Sequence, residues 1–216
     1  MRHLIWDLDG TLVDSSADIE QSLELAIGLA GIDIRKKTRA FIIGPPLETI
    51  IREAFQMEAL ASYAIENAVR AFRNIYDNSN FSNTIPFPGV ESLIMDSENF
   101  VHHLVTNKPD YPSKRILEKL SWTNYIASVN TPSTILGRQR SKIEIFNELI
   151  EELCVEKSSI VGIGDTKNDC LAARENGIVS IGVLWGSGTL VDMEQSCDYL
   201  VENCDQLCKL LYETSK

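Results

Sequence analysis

Three apolar runs between residues 100 and 184 do most to limit the fold of the chain, because each is bordered by a segment with helical spacing. The runs are FVHHLVT at 100–106, SSIVGIGD at 158–165 and VSIGVL at 179–184. Strands that are apolar along their whole length are typical of parallel sheets whose two faces are both covered by helices. The pattern therefore predicts an α/β fold with a Rossmann-like parallel sheet core and helices on both faces.

A further strand is predicted at HLIWDL, residues 3–8, but a long stretch with helical spacing separates it from the alternating part of the chain. This stretch ends in DNSNFSNTIPFPG at 77–89, which is polar and rich in turn-forming residues. The simplest organisation is an α/β core formed by residues 1–14 and 84–216. A helical cap subdomain, residues 15–83, is then inserted after the first strand.

Polar residues follow the predicted strands at their carboxyl ends, which meet at one edge of a parallel sheet and form the usual ligand crevice. The residues at these ends, and at the start of one nearby helix, are Asp7, Asp9, Gly10, Thr106, Asn107, Lys142, Asp165 and Asp169. Asp7 and Asp9 are two residues apart, so in extended chain both side chains project to one side. Two carboxylates this close repel each other, which favours a positive group between or beside them.

Each of these short patterns also has a structural interpretation when it is taken alone. DLDG could form a turn in which carboxylates bond to the backbone, and Thr106, Asn107 and Asp165 are all suitable helix N-caps. Asp169 could simply favour the first turn of a helix. The occurrence of all the patterns along one chain favours a shared site.

Charge and cysteine content argue against several classes of function. The formal net charge is −11 and no patch of Lys and Arg is visible, so nucleic acid binding is not expected. No apolar run approaches the roughly 18 residues of a membrane span. The five cysteines, from Cys154 to Cys208, form no CxxC pair, so a zinc site is not expected. They are predicted to be reduced thiols in a cytoplasmic protein.

The polar patterns together resemble the motifs of the haloacid dehalogenase-like hydrolases, a superfamily made mostly of phosphatases. The resemblance covers essentially the whole chain. DLDGTLVDS is similar to the first motif, DxDGT, and LVTN is similar to the second, a strand that ends in Thr or Ser. Lys142 stands where the third-motif lysine is expected, and GDTKND is similar to the fourth motif, GDxxxD.

The resemblance implies a Mg²⁺-dependent phosphatase in which Asp7 attacks phosphorus and forms an aspartyl-phosphate that water then hydrolyses. Asp9 would protonate the leaving alkoxide and later deprotonate the attacking water. The implied Mg²⁺ ligands are the Asp7 carboxylate, the Asp9 backbone carbonyl and the Asp165 carboxylate. Asp169 would orient metal-bound waters or Lys142.

The same resemblance implies a phosphate-binding set around the nucleophile. Thr106, the Asn107 backbone N–H and Lys142 would bind the transferring phosphoryl oxygens. Gly10 would permit the turn after the first strand and let backbone amides approach the phosphate.

Other residues near the predicted strand ends are expected to be structural. Lys108 should be solvated or lie at the rim of the site, and WGSG at 185–188 should form a turn. His102 and His103 lie in the middle of a strand, where a core histidine is more common than a catalytic one. Residues 121–138 carry no clear strand pattern, and one short strand is expected there.

A narrower resemblance concerns the substrate. FIIGPPLETI, VTNKP and VLWGSG resemble the phosphoglycolate phosphatase-type members, some of which act on nucleoside monophosphates or other small phosphates. This implies a small phosphorylated metabolite as partner and a cap that closes over it, with Gly44, Pro45 and Pro46 as a substrate-facing loop. The protein is expected to be a monomer or weak dimer with no nucleic acid or membrane partner.

Two other functions remain open at this point. A phosphomutase similar to β-phosphoglucomutase could use the same residues, and a non-catalytic module could sense phosphate on the same scaffold. A dehalogenase is disfavoured by Asp9, because that chemistry leaves no alkoxide to protonate.

Overall fold

The computed structural model of the chain describes residues 1–45, 47–55, 62–132, 134–135 and 138–213. The strands are β1 (Arg2–Trp6), β2 (Val13–Asp14), β3 (Ile85–Pro86), β4 (Phe100–Val105), β5 (Ile126–Asn130), β6 (Thr134–Ile135), β7 (Arg138–Gln139), β8 (Ile160–Gly164), β9 (Val179–Val183) and β10 (Tyr199–Val201). A parallel sheet forms the core, in the order β10, β9, β8, β1, β4, β5. From β1 the chain adds strands first on the β4 side and later on the β8 side. Such a switch point is where ligands bind in parallel sheets.

Nine helices lie between or after these strands in the described residues. They are α1 (Ser16–Leu29), α2 (Leu47–Phe55), α3 (Ser62–Asp77), α4 (Val90–Ile94), α5 (Asp110–Lys119), α6 (Lys142–Leu153), α7 (Lys167–Glu175), α8 (Leu190–Ser196) and α9 (Cys204–Glu213), with short 3-10 turns at Ile34–Lys36 and Lys157–Ser159. None of the helices in the described ranges is both long enough and apolar enough to cross a membrane.

Both faces of the sheet are covered by helices. On one face, Ile5 of β1 lies in a buried cluster with Phe146 of α6. Side chains alternate along a strand, so Trp6 faces the other side, and the strand register puts Phe100 of β4 on that side too. There Phe100 meets the ring of Tyr212 in α9, with 5.3 Å between the ring centroids. The predicted α/β class is confirmed.

The chain divides into two compact units, one formed by residues 1–14 and 86–216 and the other by residues 15–85. The predicted division, 15–83, differs from this one only at its second boundary. Within the first unit, the segment that precedes the insertion and the segment that follows it lie side by side. The Phe87 N–H donates a hydrogen bond to the Leu12 carbonyl at 3.1 Å.

The second unit is helical. α1 and α3 pack against each other, and their inward residues, such as Leu23 and Phe72, are buried. Asp18 in α1 is also buried, and it accepts hydrogen bonds from the Asn83 N–H at 3.1 Å and from Thr84 Oγ1 at 2.7 Å. This carboxylate therefore joins the first helix of the unit to its last residues.

Residues 121–138 hold more structure than the single strand expected. β5 is the edge strand of the parallel sheet, and β6 and β7 pair as a short antiparallel ribbon with Thr134 opposite Gln139. Strands of two residues are too short to show an alternating pattern, which is why sequence periodicity misses them. The α8 helix was not predicted for the same reason, since it has only seven residues.

The prediction of reduced thiols is wrong for two of the cysteines. Cys170 in α7 and Cys197, which follows α8, form a disulfide. Gly182 in β9 makes room for it, because a Cβ at that position would lie 2.6 Å from Cys197 Sγ. The two cysteines are 27 residues apart, so only the packing of α7 and α8 brings them together. Cys204 and Cys208 in α9 remain thiols.

Candidate active site

β1 ends in a tight turn that carries two carboxylates. The Asp7 N–H donates to the Ile163 carbonyl of β8 at 3.0 Å, so strand pairing continues up to this residue. Gly10 then adopts a φ of +85°, which glycine tolerates far better than other residues, and its N–H donates to the Val13 carbonyl at 2.9 Å. Asp7 is nearly buried and Asp9 partly exposed at the switch point of the sheet.

Asp165, directly after β8, is held by residues from two loops. Its Oδ1 accepts a hydrogen bond from Thr11 Oγ1 at 3.0 Å, and its Oδ2 accepts from the Ser187 N–H at 2.8 Å and from Ser187 Oγ at 2.9 Å. A Cβ at either Gly10 or Gly186 would lie 2.3 Å from Asp165 Oδ2. The WGSG segment, expected to be only a turn, therefore also fixes the direction of this carboxylate.

Lys142 is the first residue of α6, a helix whose start is fixed by a capping box at Ser141. Its Nζ donates a hydrogen bond to Asp7 Oδ1 at 2.7 Å and another to Asp169 Oδ1. Asp169 also caps α7, because its Oδ2 accepts from the Thr166 N–H at 2.9 Å. Asp169 therefore bonds both to the start of α7 and to Lys142.

Three carboxylates lie close together, and two of them, Asp7 and Asp169, bond to this lysine. Asp7, Asp165 and Asp169 each offer an oxygen, and these atoms lie within 4.8 Å of one another. Burial raises the pKa of Asp7 to about 7, although the Lys142 ammonium opposes the change, and burial raises the pKa of Asp165 as well. Burial alone would lower the pKa of Lys142, but the carboxylates of Asp169 and Asp7 outweigh it and raise that pKa. The excess of negative charge favours a bound cation, and carboxylate oxygens are the ligands that hard divalent cations prefer.

The end of β4, beside β1, supplies the residues of the second motif. Thr106 is buried, its N–H donates to the Asn130 carbonyl at 3.1 Å, and its Oγ1 accepts from the Lys108 N–H at 3.2 Å. Asn107 is exposed. Lys108 was expected to be solvated or at the rim, but it is buried and its Nζ lies 3.0 Å from Asp9 Oδ2.

The structure gathers the predicted core residues at one edge of the sheet. They are Asp7, Asp9, Gly10, Thr106, Asn107, Lys142, Asp165 and Asp169. The predicted substrate loop belongs to the other unit, where Gly44 is exposed with a φ of +129°, Pro45 is partly exposed, and Pro46 lies outside the described residues.

Sequence reasoning missed Lys108 and Ser187 as partners of the acidic residues. Each lies just beyond a strand end at the correct edge of the sheet, and that position was the available signal. The direction of a lysine side chain, or of a serine in a turn, depends on tertiary packing.

Comparison with known proteins agrees with this geometry. The family model of the haloacid dehalogenase-like hydrolases matches residues 4–183. The chain is 28% identical to a phosphoglycolate phosphatase of Agrobacterium fabrum, over 97% of this chain and 91% of that protein. It is 27% identical to a 5′-nucleotidase of Pseudomonas aeruginosa, over 87% and 84% of the two chains.

A solved structure extends the likeness to the whole fold. A haloacid dehalogenase-like family hydrolase from Streptococcus pneumoniae superposes with a TM-score of 0.83 at 25% identity. The superposition covers 97% of this chain and 98% of that one.

Proposed function

Because this chain belongs to the haloacid dehalogenase-like hydrolases and is similar to their phosphoglycolate phosphatases, we propose that it is a Mg²⁺-dependent phosphatase that hydrolyses a small phosphomonoester through an aspartyl-phosphate on Asp7. The observation that carries the proposal is the setting of this carboxylate. Asp7 directly follows β1, has a carboxylate oxygen within 4.8 Å of oxygens of two further carboxylates, and is paired with the Lys142 ammonium.

In the first half of the reaction, an Asp7 carboxylate oxygen forms a bond to phosphorus as the bond from phosphorus to the ester oxygen breaks. The departing alkoxide takes a proton from the Asp9 carboxyl group, so the alcohol leaves neutral. In the second half, Asp9 takes a proton from water while the water oxygen attacks phosphorus. The bond from phosphorus to Asp7 then breaks, which frees inorganic phosphate and restores both residues.

The residues present fit a magnesium ion. Hard oxygen donors from Asp7 and Asp165 would hold it together with the Asp9 backbone carbonyl, and Asp169 lies in the same cluster. When bound, Mg²⁺ supplies positive charge that offsets the repulsion between a phosphate dianion and the attacking carboxylate. Thr11 and Ser187 keep the Asp165 carboxylate in one orientation, which reduces the reorganisation needed on binding.

The groups proposed to bind phosphate lie at the ends of neighbouring elements. Thr106 and the exposed Asn107 follow β4, which pairs with β1, and would offer the threonine hydroxyl and the Asn107 backbone N–H. Lys142 supplies positive charge beside the nucleophile. These groups would bind the three equatorial oxygens of the transferring phosphoryl group, where charge accumulates in the transition state.

The substrate class is a small phosphorylated metabolite, with phosphoglycolate and nucleoside 5′-monophosphates as the leading candidates. The support comes from relatives of both kinds, a phosphoglycolate phosphatase and a 5′-nucleotidase. The loop at Gly44, Pro45 and Pro46 is proposed to contact the leaving group and to choose between them.

The test is phosphate release from phosphoglycolate, nucleoside 5′-monophosphates, sugar phosphates and p-nitrophenyl phosphate, each with Mg²⁺ and with EDTA. The expected result is release with Mg²⁺, loss of release with EDTA, and a clear preference for one natural ester. Release that EDTA leaves unchanged would overturn the metal requirement. A folded protein that releases no phosphate from any ester would overturn the proposed reaction. Conversion of a sugar phosphate without phosphate release would identify a mutase instead.

A further inference from the structure

Lys108 is a buried cation outside the set of residues to which the family motifs give a role. It is 8% exposed, and its Nζ lies 3.0 Å from Asp9 Oδ2, whose side chain is 16% exposed. Burying an ammonium group costs free energy that a partner must offset, so fully buried lysines are rare and paired. Here the partner is the carboxylate proposed to move the proton in both halves of the reaction.

The backbone holds Lys108 in place on both sides. Its N–H donates to Thr106 Oγ1 at 3.2 Å, and the carbonyl of the next residue, Pro109, accepts from Ser113 Oγ of α5 at 2.8 Å. The residue therefore sits in a fixed link between the end of β4 and the start of α5.

The two buried lysines of the site serve different carboxylates. Lys142 bonds to Asp7 and to Asp169, whereas Lys108 forms its ion pair with Asp9. The proposed nucleophile and the proposed proton-transfer group thus each have a buried lysine beside them. Since Asp7 and Asp9 repel each other, a separate cation for Asp9 keeps its carboxylate from turning towards the cluster around Lys142.

We propose that Lys108 is a positioning residue that holds the Asp9 side chain, which in its protonated form gives a proton to the leaving alkoxide and as a carboxylate takes one from the attacking water. The proposal rests on the proposed phosphatase reaction and adds to it the group that orients its acid and base. Lys108 acts through Asp9 and forms no bond to phosphorus, so its loss affects proton transfer more than substrate binding.

The test compares Lys108→Met with the wild-type enzyme on two kinds of ester. On an alkyl phosphomonoester, whose leaving group needs a proton, kcat should fall by about 10²-fold or more while KM changes little. On p-nitrophenyl phosphate the leaving group needs no proton, so nitrophenolate should appear in a rapid burst of one equivalent. Slow turnover then follows, because hydrolysis of the aspartyl-phosphate still needs Asp9 as base.

The matched control is Lys114→Met. Lys114 lies six residues after Lys108, in α5, and forms an ion pair with Asp110 at 2.9 Å. Both side chains of this pair are more than half exposed. This variant should keep wild-type kcat and KM on both esters. Circular dichroism of each variant reports whether the protein is folded.

A second measurement covers the case in which removal of one buried charge unfolds the protein. The double variant Asp9→Asn with Lys108→Met removes both charges, and it should turn over no more slowly than Asp9→Asn alone, because Lys108 acts through Asp9. If adding Lys108→Met to Asp9→Asn instead lowers the turnover rate further, Lys108 acts independently of Asp9.

The remaining outcomes distinguish the positioning role of Lys108 from other roles of this residue and from failure of the proposed reaction. A raised KM for both esters with unchanged kcat would make Lys108 a phosphate ligand and overturn its positioning role. Wild-type kinetics on both esters would make the ion pair purely structural. A wild-type enzyme that releases no phosphate from any ester would overturn the reaction itself, and the role of Lys108 with it.

Discussion

Acid should destabilise this protein through a histidine in the middle of the sheet. His102 is 1% exposed, and its Nδ1 accepts a hydrogen bond from Trp6 Nε1 at 3.0 Å. Burial lowers the pKa of His102 from 6.5 to about 4, against the smaller opposing effect of Asp96. A proton on Nδ1 would also remove the acceptor of the Trp6 hydrogen bond, so the folded state favours the neutral ring.

The sign and size of the change in stability with pH follow from the pKa of His102 in the folded protein and in the unfolded chain. The pKa in the folded state lies below that of the unfolded chain, so the stabilisation by neutral His102 is present above about pH 6.5 and is lost as the pH falls towards 4. At about pH 5 the unfolded ring carries a proton and the folded ring does not. This difference lowers the free energy of unfolding by about 2 kcal/mol.

The assay is urea unfolding of the wild type and of His102→Asn at about pH 7.5 and about pH 5. Asparagine does not titrate, and its amide oxygen can still accept the hydrogen bond from Trp6. The variant should therefore lose about 2 kcal/mol less stability between the two pH values than the wild type. His103, whose pKa burial also lowers to about 4, is present in both proteins, so its own titration cancels apart from the smaller effect that His102 has on that pKa. Equal losses of stability in the two proteins would refute the assignment of this acid sensitivity to His102.

Three further changes test other parts of the molecule. Asp18→Ala removes the acceptor that joins α1 to the end of the helical unit, and urea unfolding should show a loss of about 2 kcal/mol. Gly164→Ala would put a Cβ 2.1 Å from the Cβ of Asp169, so that carboxylate should be displaced and kcat should fall at least about tenfold. The control is Gly28→Ala, where the added Cβ has no atom within 4 Å, so kcat should be unchanged and stability should rise slightly. Dithiothreitol should lower the melting temperature of the wild type but not of Cys197→Ser, since reduction of the disulfide costs about 3 kcal/mol.

Residues at strand ends were the most predictable part of the site. Asp7 and Asp165 directly follow apolar runs, and parallel strands bring their carboxyl ends to one edge, so local pattern and fold class were enough to place them. Lys142 required the family resemblance, because nothing local indicates that the first residue of a helix reaches back to β1.

Features that depend on packing could not be predicted in the same way. The ion pair of Lys108 with Asp9 depends on where a flexible side chain settles between two neighbouring strands. The disulfide of Cys170 with Cys197 depends on the contact between two helices, one of them too short to be recognised by its periodicity. In both cases the decisive distance is set by tertiary structure rather than by spacing along the chain.

The role of Asp7 as nucleophile is tested most directly by trapping the phosphorylated enzyme. The enzyme is mixed with Mg²⁺ and p-nitrophenyl phosphate, quenched in acid during the first turnover, digested with pepsin and analysed by mass spectrometry. One phosphoryl group is predicted on the peptide that contains Asp7, and none in Asp7→Asn, which should also release no phosphate. Steady phosphate release by folded Asp7→Asn, or a phosphoryl group on another peptide, would contradict the aspartyl-phosphate mechanism.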